Sequence, residues 1–80
     1  MSSERMSRQF RRLFATLELL KRYRFGMDER LVNERVNDLL GETWHLRTTR
    51  RDLHFLREIG LADVTTEYEG RRWLSRERIH

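Results

Sequence analysis

Gly60 divides this chain into two rhythms. Before it, apolar residues recur at steps of three and four, the spacing of a helical face; after it they alternate, the spacing of a strand. The pattern predicts three helices followed by a β-hairpin, an α+β arrangement that is mostly helical. Eighty residues without cysteine make one small domain with no disulfide frame to hold it. A chain of this length buries about 60–65% of its unfolded surface, so its core must be compact and well patterned.

The first helix is predicted over residues 4–22, with Met6, Phe10, Leu13, Phe14, Leu17 and Leu20 as its apolar stripe and Arg8, Arg11 and Arg12 off it. Gly26 stops this element, and Asp28 is a suitable cap for the next. The second helix is predicted over 28–40, burying Leu31 or Val32, Val36, Leu39 and Leu40, with Asp28, Glu29, Glu34 and Asp38 outside and Gly41 at its end. The third is predicted over 45–59 and stopped by Gly60, with Leu61 packing back on its last turn. On a helical wheel Thr49, Leu53 and Leu56 share one face with Leu46 on its flank. Arg47, Arg51, His54 and Glu58 fall opposite, and Arg50 sits at the edge. The hairpin is predicted over 62–76. Val64 and Thr66 alternate on its first strand, the Glu67–Gly70 stretch turns, and Arg72 to Ser75 return. Trp73 is expected to close this hairpin onto the first helix, whereas Phe55 lies off the buried face of the third.

The net charge of +4 is unevenly spread. Residues 1–27 carry seven bases and two acids, 43–57 carry four and one, and 71–80 carry four and one. Between these blocks, residues 28–42 hold five acids and two bases, and 58–70 hold four acids and no base. Sixteen of the seventeen bases are arginine, whose planar fork suits phosphates and guanine edges. A codon bias toward arginine would account for the scarcity of lysine but not for the blocks.

Other classes find little support in the sequence. No apolar run is long enough for a bilayer, and the start, MSSERMSRQF, lacks an apolar signal core, so a cytoplasmic setting is expected. His45, His54 and His80 have no metal-binding spacing with a helper acid, and no cofactor is expected. There is no nucleophile turn, glycine-rich phosphate loop or paired carboxylate in apolar surroundings, so an enzyme is not expected.

Three helices and a basic hairpin follow the order of a winged helix-turn-helix, and one stretch is more specific. LRTTRRDLHFLREIGL, residues 46–61, closely resembles the recognition-helix segment of the DeoR-like and WYL-type bacterial transcription regulators. Their typical pattern is Ser-x-Arg-Thr-Val-Arg-Arg-Asp-Leu followed by Leu-Arg-x-x-Gly-Leu. Arg47, Thr48, Arg50, Arg51, Asp52, Leu53, Leu56, Arg57, Gly60 and Leu61 match it. Thr49 replaces the usual valine, and His45 stands where a capping serine would, leaving Thr43 as the candidate cap. The connector after Gly41 is about two residues longer than is common in the family. The likeness spans roughly residues 8–76 and implies the DNA-reading module of such regulators, with residues 1–80 as a single winged helix-turn-helix domain. It also implies that Trp44 pins the second helix to the third.

In a helix-turn-helix the second helix of the motif enters the major groove and its first residues meet base edges. The resemblance therefore makes double-stranded DNA the expected partner, with Thr43, Arg47, Thr48, Arg50, Arg51 and His54 at the groove and Arg71 and Arg72 on the backbone or minor groove. Solvated charge is the ordinary alternative for each. One module of this size reads few base pairs, so a homodimer through the long first helix, on a two-fold site, is expected. A different class remains open: a small phage-type winged-helix factor that occupies a host protein through its acidic second helix and long first helix. The two readings differ in whether the basic blocks merge into one face.

Overall fold

The computed structural model describes residues 2–66 and 70–76, with side chains from Glu4 onward. Three helices, α1 (Ser2–Arg22), α2 (Glu29–Leu40) and α3 (Leu46–Glu58), precede the strands β1 (Ala62–Thr65) and β2 (Arg72–Ser75). The strands pair antiparallel, Ala62 opposite Ser75 and Val64 opposite Trp73. This is the α+β, mostly helical order predicted. The predicted turn residues 67–69 lie outside the described residues. No helix among those described is long and apolar enough to cross a membrane.

Each helix ends for a local reason. Asp28 caps α2 by accepting the Leu31 N–H at 2.8 Å. Gly60, at φ +81°, turns the chain out of α3. The Leu61 N–H then reaches the Leu56 carbonyl at 2.9 Å and the Gly60 N–H reaches that of Arg57 at 3.1 Å, the pair of bonds that defines a Schellman end. The Leu61 side chain itself stays exposed rather than packing back on the helix.

The core joins Leu13, Leu19 and Leu20 of α1 to Val32 and Val36 of α2, Leu53 and Leu56 of α3, and Met27, Ala62 and Trp73. Thr49, Leu53 and Leu56 are buried as expected, and Trp73 closes the hairpin onto the helices. Two expectations fail. Met6, Phe10 and Phe14 do not join the core, because residues 4–11 of α1 are exposed throughout and the first buried positions are Arg12 and Leu13. Leu39 is also exposed, since it lies on the last turn of α2, where nothing among the described residues covers it.

One pairing was not foreseen. Met27, in the link between α1 and α2, exchanges two backbone hydrogen bonds with Trp73, N–H to O at 3.0 Å and O to N–H at 2.7 Å. The link thus lies beside β2 as a single-residue third strand. Gly26 makes this approach possible. Its φ is +84°, and a Cβ there would stand 2.9 Å from the Arg72 Cβ and 3.1 Å from the Trp73 carbonyl oxygen.

Candidate nucleic-acid interface

The α3 helix has two faces of different chemistry. Thr49, Asp52, Leu53 and Leu56 are buried, while Arg47, Arg51, His54 and Glu58 are exposed. The outward position of the three basic residues follows from the wheel, since a helix that buries 49, 53 and 56 must turn 47, 51 and 54 away.

The start of α3 differs from the expected capping. His45, not Thr43, is the N-cap, and its side chain makes no capping bond. The His45 carbonyl accepts from the Thr48 and Thr49 N–H groups at 3.0 and 3.3 Å. Thr43 is exposed in the connector, and Thr48 is half-buried.

The connector is held from α2 instead. The Asn37 side chain clamps the backbone of Trp44, its amide donating to the carbonyl at 3.0 Å and its oxygen accepting the N–H at 2.7 Å. The Asn33 amide donates to the same carbonyl at 2.8 Å and to the Thr49 hydroxyl at 2.9 Å. These bonds satisfy backbone groups that an irregular, half-buried turn would otherwise leave unpaired, and they fix where α3 begins relative to α2. The Trp44 ring sits half-buried, its Nε1 donating to Glu42 at 2.6 Å. The Arg12 guanidinium lies 4.4 Å from the ring centroid and that of Arg8 5.7 Å. Trp44 therefore links the connector to α1 as well as to α2.

Asp52 was matched in sequence but given no role. Its carboxylate is buried and accepts two hydrogen bonds from the Arg12 guanidinium, one from Nε and one from Nη2 at 3.0 Å. Arg12, expected off the apolar stripe of α1, is buried to make this bond. A buried charge needs a charged, hydrogen-bonded partner, and each supplies the other's. The sequence did hold a signal: Asp52 is the lone acid in a basic block and stands on the wheel beside Leu56, at the flank of the buried face.

Arg50 does not stand as a free surface cation. Its guanidinium donates to the Glu29 carboxylate at 2.6 and 3.0 Å, joining α3 to the first turn of α2. The Arg50 hydrogen bonds hold the Glu29 carboxyl below its ordinary value, against a smaller opposing effect of burial, and the charges of Arg71 and His54 act in the same direction as Arg50. Glu29 in turn raises the Arg50 value. No sequence signal links residues 29 and 50.

The hairpin enters the same neighbourhood. The His54 ring meets the Trp73 ring edge-on, centroids 5.2 Å apart and planes at 84°. Asp28, Glu29, Arg30, Arg71 and Trp73 line a hollow between the start of α2 and the start of β2. Arg71 is exposed beside it. Arg72 is half-buried, and its guanidinium reaches the Phe25 carbonyl at 3.4 Å. The fold thus brings Arg50, His54 and Arg71 around Glu29, with Arg47 and Arg51 outward on the same helix. Two of the three basic blocks, 43–57 and 71–80, meet here with Glu29 of the first acidic block among them, while Arg8 and Arg12 of the block 1–27 lie against Trp44 instead.

Compared with protein-family models, with curated proteins and with solved structures, the chain finds no match.

Proposed function

We propose that this chain is a winged helix-turn-helix DNA-binding regulator of transcription, with α2, the connector and α3 as the helix-turn-helix and the β1–β2 hairpin as the wing. The observation that carries the reading is the division of α3: its inner face is anchored by Thr49, Asp52, Leu53 and Leu56, and its outer face offers Arg47, Arg51 and His54 to solvent. The likeness of residues 46–61 to the DeoR-like and WYL-type recognition segment supports the same reading.

In this reading Arg47 and Arg51 enter the major groove, where an arginine fork meets guanine O6 and N7. Thr43, at the exposed connector, and Thr48, in the first turn, meet the groove edge. Arg71 holds the backbone beside the groove, a contact that fixes position without reading sequence. Arg72 reaches the phosphates once it leaves the Phe25 carbonyl. Arg50 contributes only where DNA phosphate competes with Glu29 for its guanidinium. The acid among these bases reduces non-specific attraction and leaves selectivity to α3.

The test is a salt series of fluorescence-anisotropy titrations on a duplex selected from a random library and on random duplex. A preferred site bound at least about a thousandfold more tightly than random sequence supports the proposal. Purified protein that binds neither duplex at low salt rejects it and points to a protein partner.

A further inference from the structure

The first half of α1 projects from the body with an apolar stripe that nothing among the described residues covers. Met6, Phe10 and Phe14, each four residues after the last, are 54%, 53% and 65% exposed. Three such side chains leave roughly 350 Å² of apolar surface on one side of a helix, in the range where the largest patch of a small protein is often functional. Ser7 and the half-buried Leu17 border the stripe, so it carries no charge from Met6 to Leu17.

The charges beside it have a definite order. Glu4, Arg11, Glu18 and Arg22 follow each other at steps of seven, seven and four, which places all four within one narrow strip along the helix. From the N-terminus the signs run minus, plus, minus, plus. Read in reverse, every sign is opposite. A second α1 laid antiparallel along the first therefore sets Arg11 against the partner's Glu18 and Glu4 against the partner's Arg22. A parallel copy carries the strip to the opposite side of the pair, where it meets no counterpart.

From this geometry we infer that the chain forms an antiparallel homodimer through α1, with Phe14 at the two-fold axis. The charge register fixes the apolar one. When Arg11 and Glu4 face their acid and base opposites to within about two residues, Phe14 faces the partner's Phe14 and Phe10 faces the partner's Leu17. The contact covers at most about 700 Å² of apolar side chain from the two copies, the size of a weak, concentration-dependent interface. An isologous interface of this kind is self-complementary by construction, as the sign sequence is. The inference stands without DNA. Joined to the proposed function, it adds a two-fold axis that relates two copies of α3.

Sedimentation equilibrium of the full chain without DNA tests it. Across a concentration series the wild-type mass is expected to rise from 9.9 kDa toward twice that value. Phe14→Glu places a carboxylate at the centre of the seam and is expected to weaken association by about a hundredfold or more, with the helical circular-dichroism signal unchanged. Arg11→Glu and Glu18→Arg are each expected to weaken it on the order of tenfold, and their combination in one chain to restore it. A wild-type chain that stays at 9.9 kDa throughout overturns the dimer and assigns the stripe to another protein. Association that survives Phe14→Glu, or a combined charge swap that restores nothing, overturns the antiparallel α1 register.

Discussion

Arg12 on α1 and Asp52 on α3, forty residues apart, meet as a buried two-point ion pair beneath the outward arginines of α3. It ties α3 to α1 beside the apolar core that the two helices share. Removing one partner leaves the other charge buried and alone, which costs about 3–5 kcal/mol. Asp52→Ala is therefore expected to lower the urea midpoint sharply, and Arg12→Met with Asp52→Leu together to recover most of the loss. Equal midpoints for wild type and Asp52→Ala would mean that the pair is not buried in solution.

Leu53 has no exposed surface and lies at the centre of the core. Leu53→Ala should cost on the order of 2–5 kcal/mol, from a domain whose total stability is about 5–15 kcal/mol. A melting temperature close to wild type would contradict the burial of this face of α3.

Gly26 and Gly60 both adopt positive φ, but only Gly26 faces crowded atoms. Gly60→Ala should cost about 1–2 kcal/mol from backbone conformation alone. Gly26→Ala adds a clash with β2 and should also break the Met27–Trp73 hydrogen bonds, so its loss should be the larger. Amide exchange at Met27 and Trp73 reports this directly, rising in Gly26→Ala and not in Gly60→Ala.

The Glu29–Arg50 pair makes stability depend on pH. Because Glu29 binds its proton less tightly in the folded chain than in the unfolded one, acid favours unfolding. Its contribution is complete above the ordinary value of 4.5 and is lost as pH falls through the lower folded value. Melting curves of wild type and Glu29→Gln should differ at neutral pH and converge below that window. Added salt should narrow the difference as well, since the pair is partly exposed. A gap independent of pH would exclude the ion pair as its cause.

On DNA, Arg47→Ala should cost about 1–3 kcal/mol at the preferred site and relax selectivity there. Arg71→Ala with Arg72→Ala should weaken binding to every duplex alike and reduce the slope of log K against log salt by about 0.9 per lost phosphate contact. If instead the two variants change selectivity equally, α3 and the hairpin do not divide the work of reading and holding.

Periodicity was enough to order the elements, because Gly41 and Gly60 stop helices whose apolar spacing is already clear; Gly26, expected to stop α1, lies four residues past its end at Arg22. It also separated the faces of α3. It does not say how far α1 runs past its neighbours, so its spacing places Phe10 and Phe14 on the apolar stripe although no described element reaches them. It could not find Met27 opposite Trp73, since a one-residue strand has no period. Glu29–Arg50 left no trace in the sequence, and the lone acid Asp52 did not point to Arg12, because pairs between elements depend on how helices dock and spacing within one helix does not report that. The cap of α3 was misplaced because the Asn33 and Asn37 side chains order the connector without help from Thr43.

The clean division of α3 also bears on how such a protein can change over generations. Arg47, Arg51 and His54 project outward, while the helix is fixed by Asp52, Leu53 and Leu56 on its other side. Substitutions at Arg47 and Arg51 are expected to shift fold stability by no more than about 0.5 kcal/mol each, whereas His54 also packs against Trp73. Drift at those positions can therefore redirect what the helix touches through a series of folded intermediates, without compensating changes elsewhere in the chain.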